Sequence, residues 1–341
     1  MRWRTRRRAK STGVSGRGDG MLRAVFEPDN VELRERYCAA LMAAAEQNPN
    51  VVCVDVDTST SVGTKPFYAK FPGRAIDCGI MEANAVGLCA GLSAQGFVPF
   101  LHAFGVFASR RAYDQVFLSC AYQDLNVKLV GADPGVSAAV NGGTHMPFED
   151  AGILRNVPDM TIFEPADGAM LPYAVSHMAN TYGNFYMRLF RKNAMRVYGD
   201  GAQFEIGRAN WLRQGDGVAI IASGIMVYEA LKAAELLSSE GISAAVLDMH
   251  TLKPIDADAI VEAALRCGAV VTAENHSIIN GLGSAVAEVL SERCPVPLER
   301  VGVRDTFGEV GTVEYLKGKF GLTARDIYTK AKLAVGRKGT I

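Results

Sequence analysis

Between residues 51 and 57 the chain reads Val-Val-Cys-Val-Asp-Val-Asp, an apolar run broken only near its carboxyl end. Such a run predicts a strand buried on both faces of a parallel sheet. Comparable runs recur at 97–103, 127–132, 160–163 and 185–189. Apolar residues at helical spacing predict helices between them, over 82–95, 107–122, 148–156 and 168–182, with another over 31–47 ahead of the first strand. A break at Tyr198-Gly199-Asp200-Gly201 leads into a polar stretch, 208–217. The alternation then resumes, with strands over 217–222, 243–248, 269–273 and 297–303 and helices over 226–240, 256–267, 283–293 and 323–334. Strand alternating with helix marks a doubly wound sheet. The expected fold class is α/β, with two doubly wound domains at 21–198 and 217–341 joined by a linker over 199–216. Residues 1–20 are basic and polar, with Arg2, Arg4, Arg6, Arg7 and Arg8 close together. They hold too few apolar residues to join a core and lack the apolar stretch of a secretory signal, so a disordered tail is expected. Met21 opens the first segment of globular character.

Composition narrows the class. Apolar residues make up 49% and charged residues 21% of the 341, which suits a soluble globular core. Thirty-six basic residues balance 36 acidic ones, so no global field favours nucleic acid or an anionic membrane. The seven cysteines form no CxxC pair and sit in apolar settings, which reads as reduced thiols in a cytoplasmic protein. No apolar run reaches the roughly 20 residues of a membrane span.

Four segments carry candidate chemistry. The first is Asp77-Cys78-Gly79-Ile80-Met81-Glu82-Ala83-Asn84-Ala85-Val86-Gly87-Leu88-Cys89-Ala90-Gly91-Leu92, a polar turn running into a helix rich in small residues, with Glu82 in its first turn. Alone, Glu82 reads as an acidic residue answering the helix dipole. The second, Phe104-Gly105-Val106-Phe107-Ala108-Ser109-Arg110-Arg111-Ala112-Tyr113-Asp114-Gln115, leaves a strand and enters a helix. It could present Phe104 and Phe107 on one side, and alone these are core aromatics. The third is the loop Asn141-Gly142-Gly143-Thr144-His145. The fourth, Met187-Arg188-Leu189-Phe190-Arg191-Lys192-Asn193, ends a strand with basic groups. Asp57 to Thr64 adds polar side chains at the carboxyl end of the first strand, where open α/β sheets bind ligands.

In this order, on these elements, the four segments resemble the pyrimidine-binding half of transketolases, which use thiamine diphosphate. The resemblance covers roughly 31–334. It implies that Glu82 is the catalytic carboxyl that hydrogen-bonds N1′ of the cofactor's aminopyrimidine, work that needs a carboxyl able to share a proton in a dry pocket. It implies that Phe107 stacks on that ring, with Phe104 as a nearby wall, and that Arg110 stands where many transketolases have an aromatic residue. The ending Arg111-Ala112-Tyr113-Asp114-Gln115 is closer to deoxyxylulose-phosphate synthases and split transketolases. Asp57 joins the cofactor side. His145 matches a histidine that touches substrate near the reacting carbonyl; histidines titrate near neutrality, so one there can steady an alkoxide or move a proton. Arg191 matches the arginine that binds substrate oxygens or phosphate, with Arg34 and Ser61 near other substrate-end positions. Arginine suits that task because its planar fork binds oxyanions bidentately. Two positions depart from the family: Asp133 stands where a phosphate-holding histidine is common, and Asn141 where many members have Asp. An Asp facing a phosphate repels it, which puts the usual pentose-phosphate substrates in doubt.

The stretch Ala273-Glu274-Asn275-His276-Ser277 and the glycines after it look like the C-terminal domain of the same superfamily, with His276 a structural residue at an interdomain or subunit contact. The chain thus resembles the second half of a transketolase made as a separate polypeptide. Gly18-Asp19-Gly20 has the tripeptide of the family's diphosphate and magnesium motif, but no buried strand precedes it, and no strand-ending GDG with a downstream Asn occurs elsewhere. Magnesium and the diphosphate are therefore expected on a partner subunit, the N-terminal transketolase chain, in a heterotetramer built on self-association of the pyrimidine-binding domain. The expected activity is transfer of a two-carbon ketol unit from a ketose to an aldehyde. The alternatives are the beta subunit of a 2-oxoacid dehydrogenase, a deoxyxylulose-phosphate-synthase-like chain, or a non-catalytic assembly partner.

Overall fold

The computed structural model describes residues 27–199 and 201–339; the expected basic tail, 1–20, lies outside them. Two α/β layers emerge. The first sheet has seven strands: β1 (Val51–Asp55), β2 (Ala75–Asp77), β3 (Val98–Phe104), β4 (Lys128–Ala132), β5 (Thr161–Phe163), β6 (Phe185–Leu189) and, from later in the chain, β10 (Thr251–Lys253). Their order is β10-β5-β6-β4-β3-β1-β2. All pair in parallel except β10, which runs antiparallel to β5. The second sheet has the order β12-β11-β8-β9-β7, built from β7 (Asn210–Arg213), β8 (Val218–Ala222), β9 (Ala244–Asp248), β11 (Val270–Ser277) and β12 (Leu298–Val303). Here β7 is the antiparallel strand. Strands β1, β4 and β6, and β8 and β9 in the second sheet, are buried at every position, because helices cover both faces.

The strands read from the sequence are present, and so are the helices apart from those expected over 107–122 and 148–156. What escaped is short. β7 crosses the stretch expected to be a linker; its residues are all half-buried, so no apolar run marked it. β10 is three residues long, and β2 lies at the open edge of its sheet. The helix expected over 107–122 is instead two wide-wound π-helical turns, Phe107–Arg111 and Val116–Ala121, flanking Tyr113–Gln115. The one expected over 148–156 is confined to Asp150–Leu154. None of the described helices is long and apolar enough to cross a membrane.

The two layers meet at a buried charged junction. Arg188 on β6 donates to Asp150 at 2.9 Å and to Glu164 at 2.6 Å, and reaches across to the carbonyl of Asn275 on β11 at 3.0 Å. Removing one partner from such a fully buried cluster typically costs about 3–5 kcal/mol, since it strands a charge. His276 accepts from the Gly152 N–H at 3.2 Å across the same junction, and burial pulls its pKa down to about 4. It is a neutral packing residue between the domains.

Candidate active site

Glu82 opens the helix Glu82–Ala94, fed by the turn in which Asp77 accepts from the N–H groups of Asp57 and Gly79, each at 2.9 Å. The helix packs its Ala85, Val86, Cys89 and Ala90 side inward. Glu82, at its first position, is only 3% exposed. Its carboxylate is not alone: Nη1 of Arg111 donates to both oxygens at 2.9 Å. The same guanidinium lies over the Phe107 ring, 3.9 Å from its centre.

Phe107, Phe104 and His145 form a trio of edge-on rings. Centroids are 6.4 Å apart for Phe104 and Phe107, 5.5 Å for Phe104 and His145, and 5.3 Å for Phe107 and His145. The Thr144 hydroxyl engages Nδ1 of His145 at 2.9 Å. From Phe104 the cluster continues to Arg191, whose guanidinium is 5.2 Å from that ring. Arg191 donates to the Ser61 carbonyl at 2.8 Å and pairs with Asp133. Arg34 donates to the same Ser61 carbonyl at 3.1 Å and pairs with Glu32, which also holds Lys192. Asp133 is 1% exposed and in the left-handed region at φ 56°, which Asp tolerates better than most residues. Burial raises its pKa against the pull of the Arg191 charge.

Most of the residues singled out from the sequence thus lie along one continuous line from Glu82 to Arg34. Three stand apart. Asp57 and Asn141 are exposed at the ends of their elements. Arg110 is turned away from Glu82 and pairs with Glu149 at 2.8 Å, while its neighbour Arg111 makes the contact with Glu82. Sequence reasoning missed Arg111, and also a buried network beneath the line. There, Asp55 accepts from the hydroxyls of Thr58 at 3.1 Å and Thr64 at 2.8 Å. His102 contacts the Val54 carbonyl through Nδ1 at 3.0 Å and the Tyr37 hydroxyl through Nε2 at 2.7 Å. Burial lowers the pKa of His102, so it is neutral, with its Nδ1 proton given to Val54 and Nε2 accepting from Tyr37. Cys53, Asp55 and His102 cluster closely enough to offer ligands to a metal ion, but each already has a partner within the protein, and together they brace the ends of β1 and β3.

A buried carboxylate beside an aromatic face, with a histidine and the Asp133-paired Arg191 further along, is the arrangement expected from the sequence resemblance. Comparison with known proteins agrees. The family model for the transketolase pyrimidine-binding domain matches residues 29–196, and that for the transketolase C-terminal domain matches 207–327. The chain belongs to the transketolase family. It is 52% identical over 306 residues to the 6-deoxy-6-sulfo-D-fructose transketolase subunit SqwH of Clostridium sp. (strain MSTE9), covering 90% of this chain and 95% of that one. It is 37% identical to a putative transketolase C-terminal section of Methanocaldococcus jannaschii, over 86% of this chain and 93% of that protein. Among solved structures, a split gene transketolase captured as an inactive beta4 tetramer superposes with a TM-score of 0.85 at 44% identity, over 91% of this chain and all of that one.

Proposed function

We propose that this chain is the pyrimidine-binding subunit of a split transketolase, moving a two-carbon ketol unit from a ketose donor to an aldehyde acceptor in a site that a second chain completes. The observation that carries it is the buried Glu82 carboxylate, already holding a planar N–H donor over the Phe107 ring. An aminopyrimidine is likewise planar, and its N1′ edge meets a carboxyl through one shared proton, so these residues fit thiamine diphosphate. When bound, that cofactor supplies the electron sink that lets the carbon–carbon bond beside a ketose carbonyl break. Glu82 would hold the ring edge and share a proton there. Phe107 would carry the ring face, with Phe104 walling the pocket. His145 would hold or move a proton at the substrate oxygen next to the reacting carbon.

Further along, Arg191 and Arg34, both held by the Ser61 carbonyl, would receive the far end of the sugar, with Asp133 setting the charge there and Asn141 at the loop edge. Arg34, Arg191 and Lys192 set against Glu32 and Asp133 leave one net positive charge, which suits a sugar ending in an acid group. The Clostridium relative is named for a sulfo-sugar, and a sulfonate-bearing ketose is the donor class this reading favours. Exposed Asp57 and Arg110 would meet the cofactor only once the second chain closes over them. That chain would hold the diphosphate and magnesium. Seven free cysteines suit a reducing, cytoplasmic setting.

The test is Glu82→Gln, which keeps the shape and removes the proton-sharing carboxyl. Ketol transfer by the two-chain complex should fall at least 100-fold with the complex intact. A variant within threefold of wild type would refute the assignment.

A further inference from the structure

Arg111 behaves as a ligand of this site would. Its guanidinium lies over Phe107, 3.9 Å from the ring centre, and donates to both oxygens of Glu82. A guanidinium is planar and delocalised with N–H donors in its plane; an aminopyrimidine ring is planar too, and its N1′ edge presents one in-plane N–H to a carboxylate once a proton is shared there. The two side chains that fit a cofactor ring, one at its edge and one at its face, are therefore taken by a residue of the chain itself. They cannot serve both, because the buried Glu82 carboxylate is capped where the ring edge would meet it.

Resting on the thiamine reading above, we propose that Arg111 is a placeholder: it fills the pyrimidine subsite of the cofactor-free chain and swings out as the cofactor enters. The outward path is open, since the Arg111 side chain is 46% exposed. Phe107 and Arg111 are the two ends of one wide-wound turn, Phe107–Arg111, so they face the same side. Such turns are frequent at functional sites. The placeholder has a physical purpose. Without it Glu82 would be a buried carboxylate with no cation, which is costly. It has a consequence too: cofactor capture must first break this ion pair. Binding therefore becomes favourable only when a second chain adds its own contacts to the diphosphate. Arg111 is in this sense a positioning residue, acting through Glu82 rather than on substrate.

The experiment is calorimetric titration of thiamine and of thiamine diphosphate into the full chain and into the two-chain complex, for wild type, Arg111→Ala and Arg111→Lys. Thiamine removes any direct effect of the diphosphate charge, and lysine keeps the positive charge without the planar fork. In parallel, the side-chain Nε–H resonance of Arg111 is followed by NMR in the wild-type chain as cofactor is added. The expected results are thiamine bound about 5- to 30-fold tighter by Arg111→Ala, an intermediate gain for Arg111→Lys, and an Arg111 resonance that leaves the ring-current field of Phe107 at saturation. Weaker or unchanged binding in both variants, or an Arg111 signal that stays in place at saturation, overturns the placeholder and leaves the transketolase reading standing. Absence of binding by wild type and variants alike, in the complex as well as the lone chain, overturns both.

Discussion

Phe107 serves three neighbours: the Arg111 guanidinium on its face, and the Phe104 and His145 rings at its edges. If its face carries the cofactor ring, Phe107→Ala should weaken thiamine diphosphate binding to the complex by about 2- to 10-fold. That is the equivalent of roughly 0.5–1.5 kcal/mol for an aromatic stack. Turnover at saturating cofactor should suffer less. Unchanged affinity in a cofactor titration would reduce the ring to core packing. Glu82, Phe107, His145 and Arg191 were legible in the sequence because each lies inside a contiguous motif whose neighbours announce a turn, a strand end or a helix start. Arg111 was not. Choosing between Arg110 and Arg111 requires knowing how the backbone winds after Phe107, and one residue turns a helix by about 100°. The wide winding of Phe107–Arg111 places Arg111, not Arg110, over the ring. Nor could Asp55 and His102 be recognised as partners, because they meet only through the pairing of β1 with β3.

At the scale of elements, the second layer reaches the site through the segment that carries His145. The Asn275 side chain, at the end of β11, donates to the Pro134 carbonyl at 2.7 Å and accepts from the Val136 N–H at 2.9 Å, fixing the turn that leads to Asn141. Ser277 donates its N–H to the Phe148 carbonyl at 2.7 Å on the other side of the loop. Between them, the loop after β12 presses against the His145 loop at two glycines. A Cβ on Gly308 would stand 2.5 Å from Sδ of Met146 and 3.0 Å from Cα of Gly143. Gly308→Val should therefore push the Thr144–His145 turn away from Phe104 and Phe107. We expect kcat/KM for ketol transfer to fall about tenfold or more, with the melting temperature of the chain shifted by only a few degrees, since Gly308 lies in a loop outside both sheets. A variant with wild-type kcat/KM would show that the loop does not set the position of His145. These contacts join positions more than 120 residues apart, so no local pattern in the sequence could announce them. The strands and helices that hold them were legible because their apolar runs are long. The edge pieces β2, β7 and β10 were not: β2 and β7 are short and at most half-buried, and β10 is only three residues long.

For the whole molecule the question is what completes the site. On the proposed reading this chain supplies Glu82 and Phe107, and its Gly-Asp-Gly tripeptides at 199–201 and 215–217 follow no fully buried strand of the kind that would hold a diphosphate and magnesium. One exposed face would suit a second copy of the chain. On the helix Glu82–Ala94 the outward positions include Asn84, Gly87, Gly91 and Ala94, and a Cβ built on either glycine meets nothing within 4 Å. Beside the start of that helix, Ile80 is 70% and Met81 54% exposed. A flat strip of small residues edged by Ile80 and Met81 allows a second copy to approach closely. The split transketolase that superposes on this chain was solved as an inactive beta4 tetramer. The expectation is that this chain alone forms homo-oligomers with no ketol transfer. Mixing it with the chain that carries the diphosphate motif should give a heterotetramer of two copies of each, with two sites and activity. Light scattering and native mass measurement on each chain and on the mixture, with turnover assayed in parallel, separate the possibilities. Ketol transfer by the lone chain would sink the split-enzyme reading, because its own residues would then have to hold the diphosphate. A fully active one-to-one complex would leave that reading intact but remove the paired-site geometry, and with it the role given to the exposed face of Glu82–Ala94.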